Sequence, residues 1–77
     1  MLDSKEFGRA IQKIREEKKL SQEVLSGLAG IGRTHMSAIE RGERKPTLDT
    51  FFKLAEALSM KPSELLAKIE TDLSEYK

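Results

Sequence analysis

The sequence predicts an all-α fold, a compact bundle of five short helices, and three observations predict it. Apolar residues recur at i, i+3, i+4 and i+7 in successive segments, and no stretch alternates as a strand would. N-capping residues, glycines and prolines punctuate those segments. The 77 residues are too few for a doubly wound sheet or an α/β barrel.

Phe7, Ala10, Ile11 and Ile14 form the stripe of a first helix, with Asp3 or Ser4 as its cap and Glu6 suited to its positive end. The charged run Glu16–Lys19 ends it. Ser21 caps a second, short helix carrying Val24, Leu25, Leu28 and Ala29, and Gly30 stops that helix. A third follows Gly32, carries Met36 and Ile39, and stops at Gly42. After the charged loop Glu43-Arg44-Lys45-Pro46, Thr47 caps a fourth helix with Leu48, Phe51, Leu54, Ala55 and Leu58. Pro62 fits the first turn of a fifth, where its missing N–H costs nothing. That helix carries Leu65, Leu66, Ile69, Leu73 and Tyr76. No linker or internal repeat divides the chain, so residues 1–77 are expected to form one domain with its core over about 5–70.

Composition narrows the function classes. With no cysteine and one histidine, neither a disulfide framework nor a structural zinc site is available. Apolar packing must stabilise a domain this small, with help from oligomerisation. No apolar run approaches the ~18 residues of a membrane span, and the polar start Met1–Glu6 is no signal peptide, so a cytoplasmic protein with no membrane partner is expected. The net charge of +1 is unevenly spread: residues 1–19 and 33–45 each carry +2, and residues 64–77 carry −2. Such a division can direct a polyanion to one face.

The informative segment runs from Gln22 to Arg41. Two short helices meet across Ala29-Gly30-Ile31-Gly32, the shape of a helix-turn-helix. Gly30 can take the positive φ of the turn without a Cβ clash. Ser26 supplies a small residue where the helices approach, and Leu25, Ala29, Ile31, Met36 and Ile39 lie where the angle must be sealed.

The segments Ser21-Gln22-Glu23, Ala29 through Gly42, and Pro46-Thr47-Leu48-Asp49 with Leu54 through Leu58 resemble the phage-repressor-like (Cro/repressor, XRE-type) regulators. The likeness covers about residues 5–70, with the helix-turn-helix at 22–41, and implies a lambda-repressor-like DNA-binding fold. Within that family, the short length and the residues from Gly32 to Arg44 resemble restriction–modification controller proteins. Three departures stand out. Ser26 occupies a position where alanine is usual, and its hydroxyl can bond the carbonyl four residues back. Gly27 sits inside the second helix at a cost of about 1 kcal/mol. Gly32 replaces a serine-type cap.

The resemblance implies that the third helix enters the major groove. Arg33, Thr34 and Ser37 would read base edges, with Ala38 close enough for a thymine methyl. Gln22 would bind a phosphate at the start of the second helix, where free N–H groups favour an anion. His35 would contact a phosphate or simply stand exposed, and Arg44 and Lys45 would grip the DNA backbone or reach the minor groove. Arg15 and Glu40 would form a partly buried ion pair that holds the scaffold, while Lys18, Lys19 and Arg41 read as solvated charges. The expected activity is sequence-specific recognition of double-stranded DNA by a transcription regulator, repressing or recruiting RNA polymerase, without cofactor, metal or catalysis. An antitoxin that binds a protein and its own operator is the alternative. A homodimer is expected through Phe52, Leu66, Ile69, Leu73 and Tyr76, the last four spaced 3, 4, 3 along one seam. Its two recognition helices would sit about 34–36 Å apart on a pseudo-palindrome.

Overall fold

The computed structural model describes residues 3–74, and all regular structure among them is helical. The helices are α1 (Ser4–Glu17), α2 (Gln22–Ala29), α3 (Arg33–Glu40), α4 (Leu48–Ala57) and α5 (Pro62–Ser74). α1 packs on α3 and α5, α2 on α3 and α4, and α4 on α5.

Local chemistry starts each helix. The Asp3 carboxylate accepts from the Lys5 N–H at 2.8 Å, Ser21 Oγ from the Val24 N–H at 3.0 Å, and Thr47 Oγ1 from the Thr50 N–H at 3.1 Å. Each satisfies a donor that helix geometry leaves unpaired. At α5, Glu64 accepts from the Lys61 N–H at 2.8 Å, half of a capping box. Gly32 caps α3 without a side-chain bond.

The first four helices end alike. A residue in the left-handed region follows each: Lys19 (φ 60°), Gly30 (71°), Gly42 (79°) and Ser59 (59°). The next N–H then donates back five residues, from Leu20 to Arg15, Ile31 to Ser26, Glu43 to Ala38 and Met60 to Ala55, at 2.9–3.1 Å. This is the Schellman closure. Leu20, Ile31 and Met60 pack against the core, so three of the four closures also plug the helix end with an apolar side chain.

The core is built from Ile11, Ile14, Leu25, Met36, Ile39, Leu54, Leu58, Leu65 and Ile69, all fully buried. Phe7 and Phe51 extend it, with ring centroids 6.3 Å apart. Val24, Leu28 and Leu48, expected on buried stripes, are exposed instead. α2 packs mainly on α3 and α4, and its covered side is Leu25, Ser26 and Ala29. Ile69 also corrects the expected seam on α5: it is 1% exposed and belongs to the core, and Leu73 is half-buried against that core. Leu66 and Phe52 remain exposed, at 52% and 53%. Tyr76 lies outside the described residues.

Ion pairs secure α5 to α1. Lys13 Nζ lies 3.3 Å from Asp72 Oδ1, and Lys68 Nζ 3.4 Å from Glu17. Among the described residues no helix is long and apolar enough to cross a membrane.

Candidate nucleic-acid interface

α2, the left-handed Gly30 and α3 build one face of the molecule. Arg33 is the first residue of α3, so its side chain stands at the helix entrance, exposed beside Thr34. Ser37 follows about one turn later and Arg41 one turn after that. Gln22, at the first position of α2, completes the group: these five residues line a single surface concavity. α3 thus presents a planar guanidinium, two hydroxyls and a second guanidinium along one side.

The scaffold beneath is an ion pair. Glu40 accepts from Arg15 Nε at 2.7 Å and from Nη2 at 3.0 Å, a two-bonded fork. Arg15 Nη1 donates to the Leu20 carbonyl at 2.7 Å, so the same guanidinium ties α1, its closing turn and α3. Both residues are buried, and hydrogen bonding to Glu40 raises the Arg15 pKa above the ordinary arginine value. Gln22 Nε2 also donates to Glu40, at 2.9 Å. Its Nε2 is therefore engaged with the buried pair, which leaves its carbonyl oxygen and second amide hydrogen for other partners.

Ser26 is buried, as a tight angle between helices requires, but its hydroxyl bonds the Glu23 carbonyl three residues back, not four. Ala38 needs a larger correction. It is 9% exposed, and its carbonyl accepts from the N–H groups of Glu43 and Arg44. Its methyl is therefore largely covered and offers little surface to a base.

His35 is half-buried and does not line the concavity. Arg44 is exposed, on a backbone pinned by its bond to Ala38. Lys45 lines a different depression, with Phe7, Pro46, Thr47, Leu48, Phe51 and Leu66. It is thus set apart from Arg33 and Thr34. The residue that sequence reasoning passed over is Arg41. Its Nη1 donates to Ser37 Oγ, and its Nε and Nη2 fork onto Glu43 at 2.9 and 3.0 Å. The four-residue spacing from Ser37 to Arg41 on one helix was the available signal.

The helix-turn-helix family model HTH_3 matches residues 11–65. The control protein C.BamHI of Bacillus amyloliquefaciens is 41% identical over 61 residues, covering 78% of this chain and 75% of its own. The crystal structure of the restriction–modification controller protein C.AhdI from Aeromonas hydrophila superposes with a TM-score of 0.78 at 41% identity, over 82% of this chain and 96% of that one. The controller C.Esp1396I, crystallised as a tetramer in complex with its natural 35 base-pair operator, gives a TM-score of 0.84 at 25% identity, over 94% of this chain and 95% of that one.

Proposed function

This chain belongs to the XRE-type helix-turn-helix family and is a DNA-binding transcriptional regulator; from that premise we propose that α3 enters the major groove with Arg33 and Thr34 reading base edges. The observation that carries the assignment is the convergence of Gln22, Arg33, Thr34, Ser37 and Arg41 on one concavity. Arg33 has the planar fork that matches guanine O6 and N7. Thr34 offers a hydroxyl and a methyl. Ser37 is shared with Arg41, so its part is to steer that arginine as well as to face a base. The N-termini of α2 and α3 meet the phosphates on either side, with Arg44 supplying charge beyond α3. His35 and Lys45, which do not line the concavity, are assigned phosphate contacts of a non-specific kind. The chain needs no cofactor or metal for this and catalyses nothing. It works by occupying an operator, where it blocks or recruits RNA polymerase.

For the dimer expected from sequence, Phe52 and Leu66 are exposed and available, whereas Ile69 is taken up by the core. Leu48, Phe52 and Leu66 are 73%, 53% and 52% exposed. Leu48 joins them, lining one depression with Leu66 and another with Phe52. A second copy laid across α4 and the start of α5 buries this group. It would set two α3 helices one turn of DNA apart on a pseudo-palindrome.

Selection of bound sequences from a random duplex pool tests the reading. A pseudo-palindromic consensus is expected. Arg33→Ala should then lose about 1–3 kcal/mol on that consensus and relax one base pair per half-site, while Arg44→Ala weakens binding to all DNA alike. Equal losses for Arg33→Ala on selected and random DNA would overturn the assignment of α3.

A further inference from the structure

The closing turn of α3 departs from the other three. At the ends of α1, α2 and α4 the residue after the left-handed position is apolar and packs on the core. At α3 that residue is Glu43, and it is exposed. Its backbone is fixed as firmly as the others, through its N–H bond to Ala38 and through Gly42, whose positive φ brings the chain back along α3. Gly42 is itself pressed against α1: a Cβ there would lie 2.7 Å from Lys5 Cα. The carboxylate therefore starts from a defined place and folds onto Arg41.

The Arg41 guanidinium carries three nitrogens, and each donates one hydrogen bond within the protein. Nε and Nη2 donate to the two Glu43 oxygens, and Nη1 donates to Ser37 Oγ. A carboxylate and a phosphate present the same pair of oxygens to a guanidinium fork. We propose that Glu43 is an intramolecular stand-in for a DNA phosphate at Arg41, holding that cation in the recognition concavity and so suppressing non-specific binding. The proposal rests on the reading of α3 as the groove-entering helix.

The reasoning is one of reach. Binding to random DNA is a matter of phosphates and is indifferent to sequence. A loose arginine on the DNA face can find a phosphate in many registers of protein on duplex. An arginine clasped by Glu43 and Ser37 meets one only where α3 is seated so that a phosphate comes to it. On the operator, Arg33 and Thr34 do the seating, and Arg41 supplies a smaller share of the whole. The clasp also carries a cost that suits this role. Its side chains are 53% and 61% exposed, and ion pairs in water are weak, so an arriving phosphate can exchange with Glu43. Pairing with Arg41 holds the Glu43 carboxyl below the usual glutamate range.

The test is a double-mutant cycle on the full chain. Wild type, Glu43→Gln, Arg41→Gln and the double variant are titrated against a random-sequence duplex and the selected operator over a range of salt. Circular dichroism melts accompany each variant, and both positions are exposed enough to leave the fold intact. Glu43→Gln is expected to tighten random DNA about three- to tenfold, to tighten the operator by less, and to steepen the salt slope on random DNA by about one. With Arg41→Gln present, the gain should shrink to less than about twofold. A gain that persists undiminished without Arg41 overturns the proposal, because Glu43 would then act only as a negative charge near phosphates. An equal gain on both duplexes, or none, also overturns it. Failure of the wild type to bind any duplex in a salt-dependent way would instead remove the assignment of α3 itself.

Discussion

A Cβ placed on Gly8 would lie 2.4 Å from the carbonyl oxygen of Ile39, a separation no side chain tolerates. It would also lie 2.5 Å from the Glu40 carbonyl oxygen, so α1 crosses the end of α3 backbone against backbone. Gly8→Ala must push α3 away from α1. We expect a loss of about 2–3 kcal/mol, as for overpacked cores, and a thermal midpoint lower by roughly 10–20 °C. A shift of under about 3 °C would show that the crossing yields easily.

Glu40→Gln leaves the Arg15 guanidinium buried without its countercharge and is expected to cost about 2–4 kcal/mol in urea unfolding. Base preference in a selection experiment should be unchanged. Replacing both partners, Arg15→Met with Glu40→Leu, should cost less than the two single losses added together. The raised pKa of Arg15 contributes stability below that pKa, lost only as pH rises through it in strongly alkaline solution, so the arginine adds no pH dependence near neutrality.

The two left-handed glycines should differ in tolerance. Nothing lies within 4 Å of a Cβ on Gly30, so Gly30→Ala is strained by backbone conformation alone, by about 1–2 kcal/mol. Gly30→Asn should cost less and Gly30→Val more. Gly42→Ala meets the same strain and also Lys5, and thermal melts should rank it below Gly30→Ala in stability. The reverse order would place the Lys5 contact among the adjustable ones.

Ile69→Lys and Leu66→Lys separate folding from association. The first puts a charge into the core and is expected to unfold the domain, seen as loss of the helical circular dichroism signal. The second keeps the helical signal and yields a monomer by sedimentation, as should Phe52→Lys. A Leu66→Lys variant that stays dimeric moves the interface off this patch.

The Glu43 carboxyl should titrate by NMR below the ordinary glutamate value, because Arg41 hydrogen-bonds its charged form. A depressed value means that the clasp contributes above the unfolded-state pKa and is lost as pH falls through the folded one. In Arg41→Gln the midpoint should return upward, and an unmoved midpoint would show that the fork is absent in solution.

Helix beginnings and ends were legible because they are settled over three to five residues. Asp3, Ser21 and Thr47 cap through their own side chains, and Gly30 and Gly42 stop helices through their own φ. The remaining stops were harder to read, since Lys19 and Ser59 take the same conformation without being glycine. The candidate site was partly legible: Arg33 and Thr34 follow from the motif, whereas Arg41 looked like any surface arginine. Its engagement depends on where the turn returns Glu43.

By itself, then, the amino-acid sequence determined where helices lie, because hydrogen bonds and capping act between near neighbours, and which family the motif resembles. Only the tertiary structure decided which apolar residues are covered. Leu65 and Ile69 are buried in the core while the adjacent Leu66 is exposed, and Val24 and Leu28 stay bare. It also decided that Gly8 must be glycine, and that Ala38 is buried. Periodicity marks a helix face, but burial is fixed by whichever partner occupies the space beside it, and that position is set by the whole chain at once.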